Sequence, residues 1–389
     1  MRLSQVLQRL RTTSLEWRLP KRVDILIAFT DTANQLMSYF PDQRIRVLDL
    51  ESPRRNAWML LLAALRGSFR VDGYIAAWTS FTRASLVLSV QDNFQPLWNL
   101  RRKKDVSVAL VQNGLRAPHS NVMPVSKQVP DSPTKGVDYY FCFNDLIKPL
   151  LRQSVAASFI SLGSFRSNDS PLLSPSETQS ISYISTLRTD LPLDHILLTD
   201  SNNNCVRYGD ILDSRIAILR EVVTFCINNE LELRILGKDL NHFSEHAFYL
   251  QRLQGVTFEF IPRHPNRYQH QGCDAARLTV STSSTLGLES LSRGNRTIIL
   301  NELSLLLDQP FQRFGWPKEL PDEGRFWSTS CSPARIQEIL RDVNDLSDIQ
   351  WKLVVDPYRE VLPVWDPGNA QFVEALRTFG ARQRLTGTT

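Results

Sequence analysis

The sequence predicts two doubly wound, Rossmann-like α/β domains that face a cleft. Three observations predict it. Short apolar, β-branched runs recur along the chain with helical or looped stretches between them, the pattern of a parallel sheet with covering helices. The runs fall into two series, divided by a stretch rich in Ser, Pro, Asn and Asp. A chain of 389 residues, 42% of them hydrophobic, exceeds one ordinary core and suits two.

In the first series Arg22–Phe29 reads as a buried strand and Ile45–Leu50 as a second. Asn56–Leu65 reads as a helix, and Gly73–Trp78 opens either a helix or a strand. Leu86–Val90 is a strand ending at Asp92-Asn93, and Val106–Val111 ends at Gln112-Asn113-Gly114. Tyr139–Phe143 and Phe159–Leu162 complete the series, the last ending at Gly163-Ser164. The expected domains are residues 1–165 and 181–389, joined by a linker over 166–180. The second series has strands over His195–Leu198, Leu231–Leu236, Val256–Phe260, Leu278–Val280 and Thr297–Leu300. Its helices are Ile211–Asn228 and Leu286–Arg293, the latter stopped by Gly294, then Ile336–Val343 and Ala370–Phe379.

In open α/β sheets ligands bind outside the carboxyl ends of the strands. Residues just after strands are therefore the candidates. The sharpest run is Ser281-Thr-Ser-Ser-Thr285-Leu-Gly-Leu-Glu289, which follows a strand and opens a helix. Hydroxyls and free N–H groups at a helix N-terminus, with the dipole behind them, attract anions. Ser283, Ser284 and Thr285 thus suit a nucleotide's phosphates, and Glu289, a turn further, its ribose. The same serines also suit a plain helix cap. Arg263-His264-Pro265, just upstream, suits a nucleotide site or an ordinary loop. In the first series Asp92, Gln112 and Asn113 are catalytic candidates, Asp92 as general base or simply as a cap. Asn93, Gly114, Arg116, Gly163 and Ser164 are expected in the cleft, although Asn-Gly is also a common turn.

Other classes lose support. The 45 basic residues barely exceed the 40 acidic ones, for a net charge of +5. No basic stripe with interleaved aromatics points to nucleic acid. Five scattered cysteines suggest a reduced compartment and no zinc site. His242-Phe-Ser-Glu-His246 has the inverted zinc-protease spacing but no evident third ligand, so no metal is expected. Walker A, GxGxxG and GxSxG motifs are absent, so no cofactor is expected either. No secretory signal or ~20-residue apolar run stands out, which suggests the cytoplasm. Leu3, Val6, Leu7 and Leu10 recur at helical spacing among Arg2, Arg9, Arg11, Arg18, Lys21 and Arg22. Such a segment suits peripheral contact with an anionic membrane, or a helix packed on its own domain.

The order of these residues resembles a known family. Asp92-Asn93, Val111-Gln-Asn-Gly-Leu-Arg116, Tyr139-Tyr-Phe-Cys-Phe-Asn144 and Leu162-Gly-Ser-Phe-Arg166 with Asn168 are similar to the bacterial surface carbohydrate, or O-antigen, biosynthesis proteins. Ile184-Ser185, Leu236-Gly237, Glu245, Phe248-Tyr249, Pro262-Arg263, Tyr268, Ser284 to Glu289 and Gly294 continue the likeness. It runs from about residue 25 to residue 300, and Leu288 stands where the family often has Tyr. Arg263-His264-Pro265 also resembles the His-Pro pair of some sialic acid and Kdo transferases. The resemblance implies a glycosyltransferase B-like fold that moves a sugar, without a structural metal, from a nucleotide-sugar donor to a saccharide or lipid-linked saccharide acceptor. A nucleotide-sugar epimerase, a glycerophosphotransferase or a non-catalytic assembly protein on the same fold are the alternatives.

Overall fold

The computed structural model describes residues 14–377, except 31–32, 69, 99, 101–105, 117–134, 174–178, 200–204, 265–268 and 307–309. The basic N-terminal segment up to Thr13 and the proline of the His264-Pro265 pair therefore lie outside the described residues. The chain forms two compact units.

The first unit comprises residues 1–142, 147–161 and 370–389. A short parallel ribbon pairs β1 (Ser14–Glu16) with β4 (Arg54–Asn56). Its main sheet contains β2 (Ile25–Ala28), β3 (Ile45–Leu48), β5 (Leu86–Ser89), β6 (Ser107–Val111), β7 (Lys135–Cys142) and β8 (Val155–Ser161). The order is β3-β2-β5-β6-β7-β8, parallel throughout. β2 and β5 are buried at every residue, which is why they read as unbroken apolar runs. Residues 71–82 settle as a helix, with Asp72 in its first turn. The last helix, residues 370–377, belongs to this unit. Its fully buried Phe372 packs on the rings of Tyr39, Phe40 and Phe141, at centroid distances of 5.6, 6.3 and 5.1 Å.

The second unit comprises residues 143–146 and 162–369. Its sheet is built from β9 (Ser180–Ile184), β12 (Glu232–Leu236), β13 (Glu259–Ile261), β14 (Leu278–Ser281), β15 (Thr297–Leu300) and β16 (Trp327–Ser328). The order is β13-β12-β9-β14-β15-β16, again parallel. Two expectations change here. His195–Leu198 is not the opening strand: β10 (Ile196–Thr199) pairs antiparallel with β11 (Cys205–Arg207) outside the main sheet. The opening strand is β9, one of the two central strands, whose first residue is the last of the expected linker. Its sequence, Ser-Ile-Ser-Tyr-Ile, looks half-exposed, yet all five residues are buried. Small serines fit where elements pack closely, and the Ser182 hydroxyl donates to the Gly272 carbonyl at 2.9 Å. The linker's beginning is also structured: Phe165–Asp169 is a short helix capped by Ser164. The division at 165 and 181 thus gives way to one at 161/162, with a C-terminal return to the first unit. The amphipathic helix Tyr208–Asn228 buries Leu212, Ile216, Leu219, Val222, Val223 and Cys226, among others, in the second unit's core.

Candidate active site

Five strands of the second unit end beside one another in the order β13, β12, β9, β14, β15, and the loops after them carry its polar groups. After β12 come Gly237, Lys238 and Asp239. Glu245, buried on the helix His242–Arg252, holds them from below. Its carboxylate accepts the N–H groups of Lys238 at 3.0 Å and Asp239 at 2.8 Å, and the hydroxyl of Ser185 after β9. Arg263, after β13, donates to the Lys238 carbonyl at 3.2 Å. Arg215, on the long helix, donates to Ser283 Oγ after β14 at 2.6 Å and to Glu302 after β15 at 2.7 Å. The Lys238 side chain reaches solvent, yet its pKa lies below the usual lysine value. Protein packed around the ammonium is the first cause, followed by the charges of Arg215 and Arg188, with Glu245 and Arg263 acting in opposite senses. Four cations, Arg188, Arg215, Lys238 and Arg263, therefore lie along one edge of the sheet, Arg188 paired with Asp190 at 2.8 Å and Arg215 with Glu302.

The serine loop lies on that edge. Ser284 caps the helix Thr285–Ser292, its hydroxyl accepting from the Leu286 N–H at 3.3 Å. Gly287 in the first turn lets the helix close onto β14: a Cβ there would meet the Ser281 side chain at 2.4 Å. Glu289, two residues on, is buried and accepts from His270 Nε2 at 2.8 Å. Burial by itself raises its carboxyl pKa. The hydrogen bond and charge of His270, the Ser164 hydroxyl and the charge of Arg166 outweigh burial and hold it below the usual value. Ser164 and Glu289, 125 positions apart by their numbers, thus meet. His264 is exposed, next to Arg263. Gly163 has φ of +78° and packs so closely on the Val364 carbonyl that a Cβ would sit 1.7 Å from it. It makes a tight structural turn and presents no side chain to a ligand.

In the first unit Asp92 follows β5, while Gln112, Asn113, Gly114 and Arg116 follow β6, so the five do come together. Their geometry corrects the expected roles. Asp92 is fully buried. Its carboxylate accepts from Arg116 through two nitrogens, the Nε bond at 2.7 Å, from the Tyr140 hydroxyl, and from the Asn113 N–H at 3.2 Å. An acid so enclosed has no lone pair left for a substrate proton. It fixes the loop. Arg116 is engaged by that acid and not poised for an anion, and burial lowers its pKa. Gln112 is likewise buried, donating to the Gly114 carbonyl at 2.8 Å, whereas the Asn113 side chain and Asn93 are exposed.

A family model described as "putative O-antigen biosynthesis protein" matches residues 109–379, well over half of the chain. The chain belongs to this O-antigen biosynthesis family. No curated protein matches it. Among solved structures, the wall teichoic acid polymerase TagF superposes with a TM-score of 0.53 at 11% identity, covering 93% of this chain and 90% of that one. A "putative UDP-N-acetylglucosamine 2-epimerase" from Listeria monocytogenes gives 0.50 at 10%, covering 92% and 95%. At such identities the likeness is one of fold, the glycosyltransferase B-like pair of Rossmann-like units.

In this family member the sequence reading missed Arg215, Lys238, Arg188 and His270. Arg215 is buried mid-helix, and no local pattern marks it. Lys238 follows a strand directly and was open to the same rule that found the serine loop. His242 and His246, set aside as zinc ligands, serve packing at His246, whose ring stacks on Phe260 at 4.9 Å. Among the described residues no group of three or more His, Cys, Asp or Glu is arranged to hold a metal. No helix among them is long and apolar enough to cross a membrane.

Proposed function

We propose that this chain is a glycosyltransferase that moves a sugar from a nucleotide-activated donor to a growing surface polysaccharide or lipopolysaccharide acceptor. The observation that carries the reading is the crowding of Arg188, Arg215, Lys238 and Arg263 at the carboxyl edge of the second sheet, beside the N-terminus of Thr285–Ser292. Cations and helix N–H groups arranged before the ligand arrives suit a diphosphate, whose negative charge grows as the sugar departs. Arg215 is fixed by Glu302 and Ser283, so little reorganisation is needed. Glu289, held ionised below its usual pKa, suits the ribose hydroxyls as an acceptor. The acceptor's groups fall to the 112–116 loop of the first unit, with Asp92 as its positioning residue. A lipid-linked acceptor would bring the chain to the inner face of the membrane as a peripheral protein.

The test is a calorimetric screen of CMP-, UDP-, GDP-, dTDP- and CDP-linked compounds. One class is expected to bind, and Lys238→Met to weaken it about tenfold or more, because a charge-assisted hydrogen bond contributes ~1.5–3 kcal/mol. Failure of every donor to bind overturns the reading. So does conversion of a donor, without any acceptor, into an isomeric nucleotide sugar.

A further inference from the structure

The first unit carries an apolar face that the transferase reading leaves unused. On the helix Ala57–Leu65, Trp58, Leu61 and Leu65 recur at helical spacing and all point to solvent, Leu65 at 76% exposure. Trp17, 67% exposed, joins them: the Trp58 indole N–H donates to its carbonyl at 2.7 Å, and the rings meet edge to face at 6.2 Å. Leu15 and Leu19 flank Trp17 and are exposed as well. The pairing of β1 with β4, and the Asn56 side chain donating to the Arg18 carbonyl at 2.7 Å, tie this segment to the start of the helix. The patch is therefore built into the fold. Clustered exposed tryptophans and leucines of this kind mark an interaction surface.

The charge around the patch says what covers it. Arg54 stands before the helix and Arg66 after it, with Arg70 beyond, and Arg18, Lys21 and Arg22 follow Trp17 in the chain. All six are exposed, and none forms an ion pair among the described residues. Nearby acids are fewer and mostly occupied: Asp24 pairs with Arg44 and also feels the charge of Arg22, Glu16 pairs with Arg46, Glu51 accepts from Gln91, and Asp49 accepts from the Ser52 N–H, while Asp72 opens the next helix. Paired tryptophans and leucines ringed by arginine match the boundary between lipid headgroups and acyl chains, where indoles settle and cations meet phosphate.

We infer that this face docks the chain on an anionic lipid bilayer. The inference shares with the transferase reading a peripheral place at the membrane and adds the face that makes the contact; it stands whether or not a sugar donor binds. Full-length protein is sedimented with vesicles of phosphatidylethanolamine and phosphatidylglycerol, and separately with vesicles of phosphatidylcholine alone. Binding is expected to the first and not the second, and to weaken in high salt. Leu61→Gln/Leu65→Gln is expected to lower the partition about tenfold or more by removing inserted apolar surface. Arg54→Glu/Arg66→Glu is expected to lower it by a similar factor, since each basic residue near an anionic surface counts about fivefold. These side chains project into solvent, so melting curves should match the parent. No binding by the parent overturns the proposal, and so does equal binding by both variants. Loss of binding on Leu3→Gln/Leu7→Gln, with Leu61→Gln/Leu65→Gln unaffected, places the contact elsewhere and overturns it too. A parent dimer that dissociates in Leu61→Gln/Leu65→Gln shows a second copy on this face, which also overturns it. Donor titration of the same samples reports on the transferase reading separately.

Discussion

Asp92 and Glu289 are both buried acids near the carboxyl ends of parallel strands, one in each unit, and their surroundings differ. Asp92 is closed off: a guanidinium, a phenol and a backbone N–H take up its oxygens. The Tyr140 phenol is itself pushed above its usual pKa, chiefly by burial, and stays a neutral donor. Glu289 shares its carboxylate with an imidazole and a hydroxyl, and the charge of Arg166 also acts on it. The lesson is that position after a strand nominates an acid, while the completeness of its partner set separates scaffold from site. An acid whose two oxygens each accept two protein donors positions a loop; one with fewer donors keeps acceptor positions with which to meet a ligand.

The largest effect should come from the closed acid. Asp92→Asn leaves the Arg116 guanidinium without a carboxylate in a buried place, and a stability loss of about 3 kcal/mol is expected from urea unfolding. A loss under about 1 kcal/mol would mean that Arg116 finds solvent, and the contrast between the two acids would break. Next comes Glu289→Gln. Donor affinity should fall about tenfold, with a stability loss of only about 1–2 kcal/mol. Unfolding as severe as that of Asp92→Asn, or unchanged donor affinity, would make both acids scaffold.

Ser284→Ala removes a helix N-cap and should cost about 1 kcal/mol in the same unfolding assay. A larger fall in donor affinity than in stability would add a ligand contact to the cap, sharpening the serine loop's role. The smallest effect concerns pH. The folded-state pKa of Glu289 lies below its ordinary value of 4.5. Its ionised form therefore adds stability that is complete above the unfolded value and lost as pH falls through the folded one. Denaturation of the parent and of Glu289→Gln, compared between about pH 6 and pH 3, should show the gap between them narrowing as pH falls. A gap constant across that range would mean that folding leaves the Glu289 pKa unshifted, and a gap that shifts in favour of the parent as pH falls would mean that it is raised.

By itself the sequence determined the fold class and most of the strands, because strands buried on both faces must be apolar throughout and stand out as runs. It marked the Ser281–Glu289 loop for a similar reason, since strand-to-helix turns at a sheet edge have a local signature. Only the tertiary structure decided that β9 is a central strand. Its serines are buried by packing from residues far along the chain, and burial of a small polar residue leaves no local pattern. Only the tertiary structure brought Ser164 and His270 to Glu289, and Arg215 from mid-helix to Ser283. It also turned Asp92 from an apparent base into a loop anchor. Local sequence fixes which groups a residue carries and which way the backbone runs. Whether an acid is enclosed or open depends on partners supplied by other strands, here Tyr140 and Arg116, which only the folded chain assembles around it.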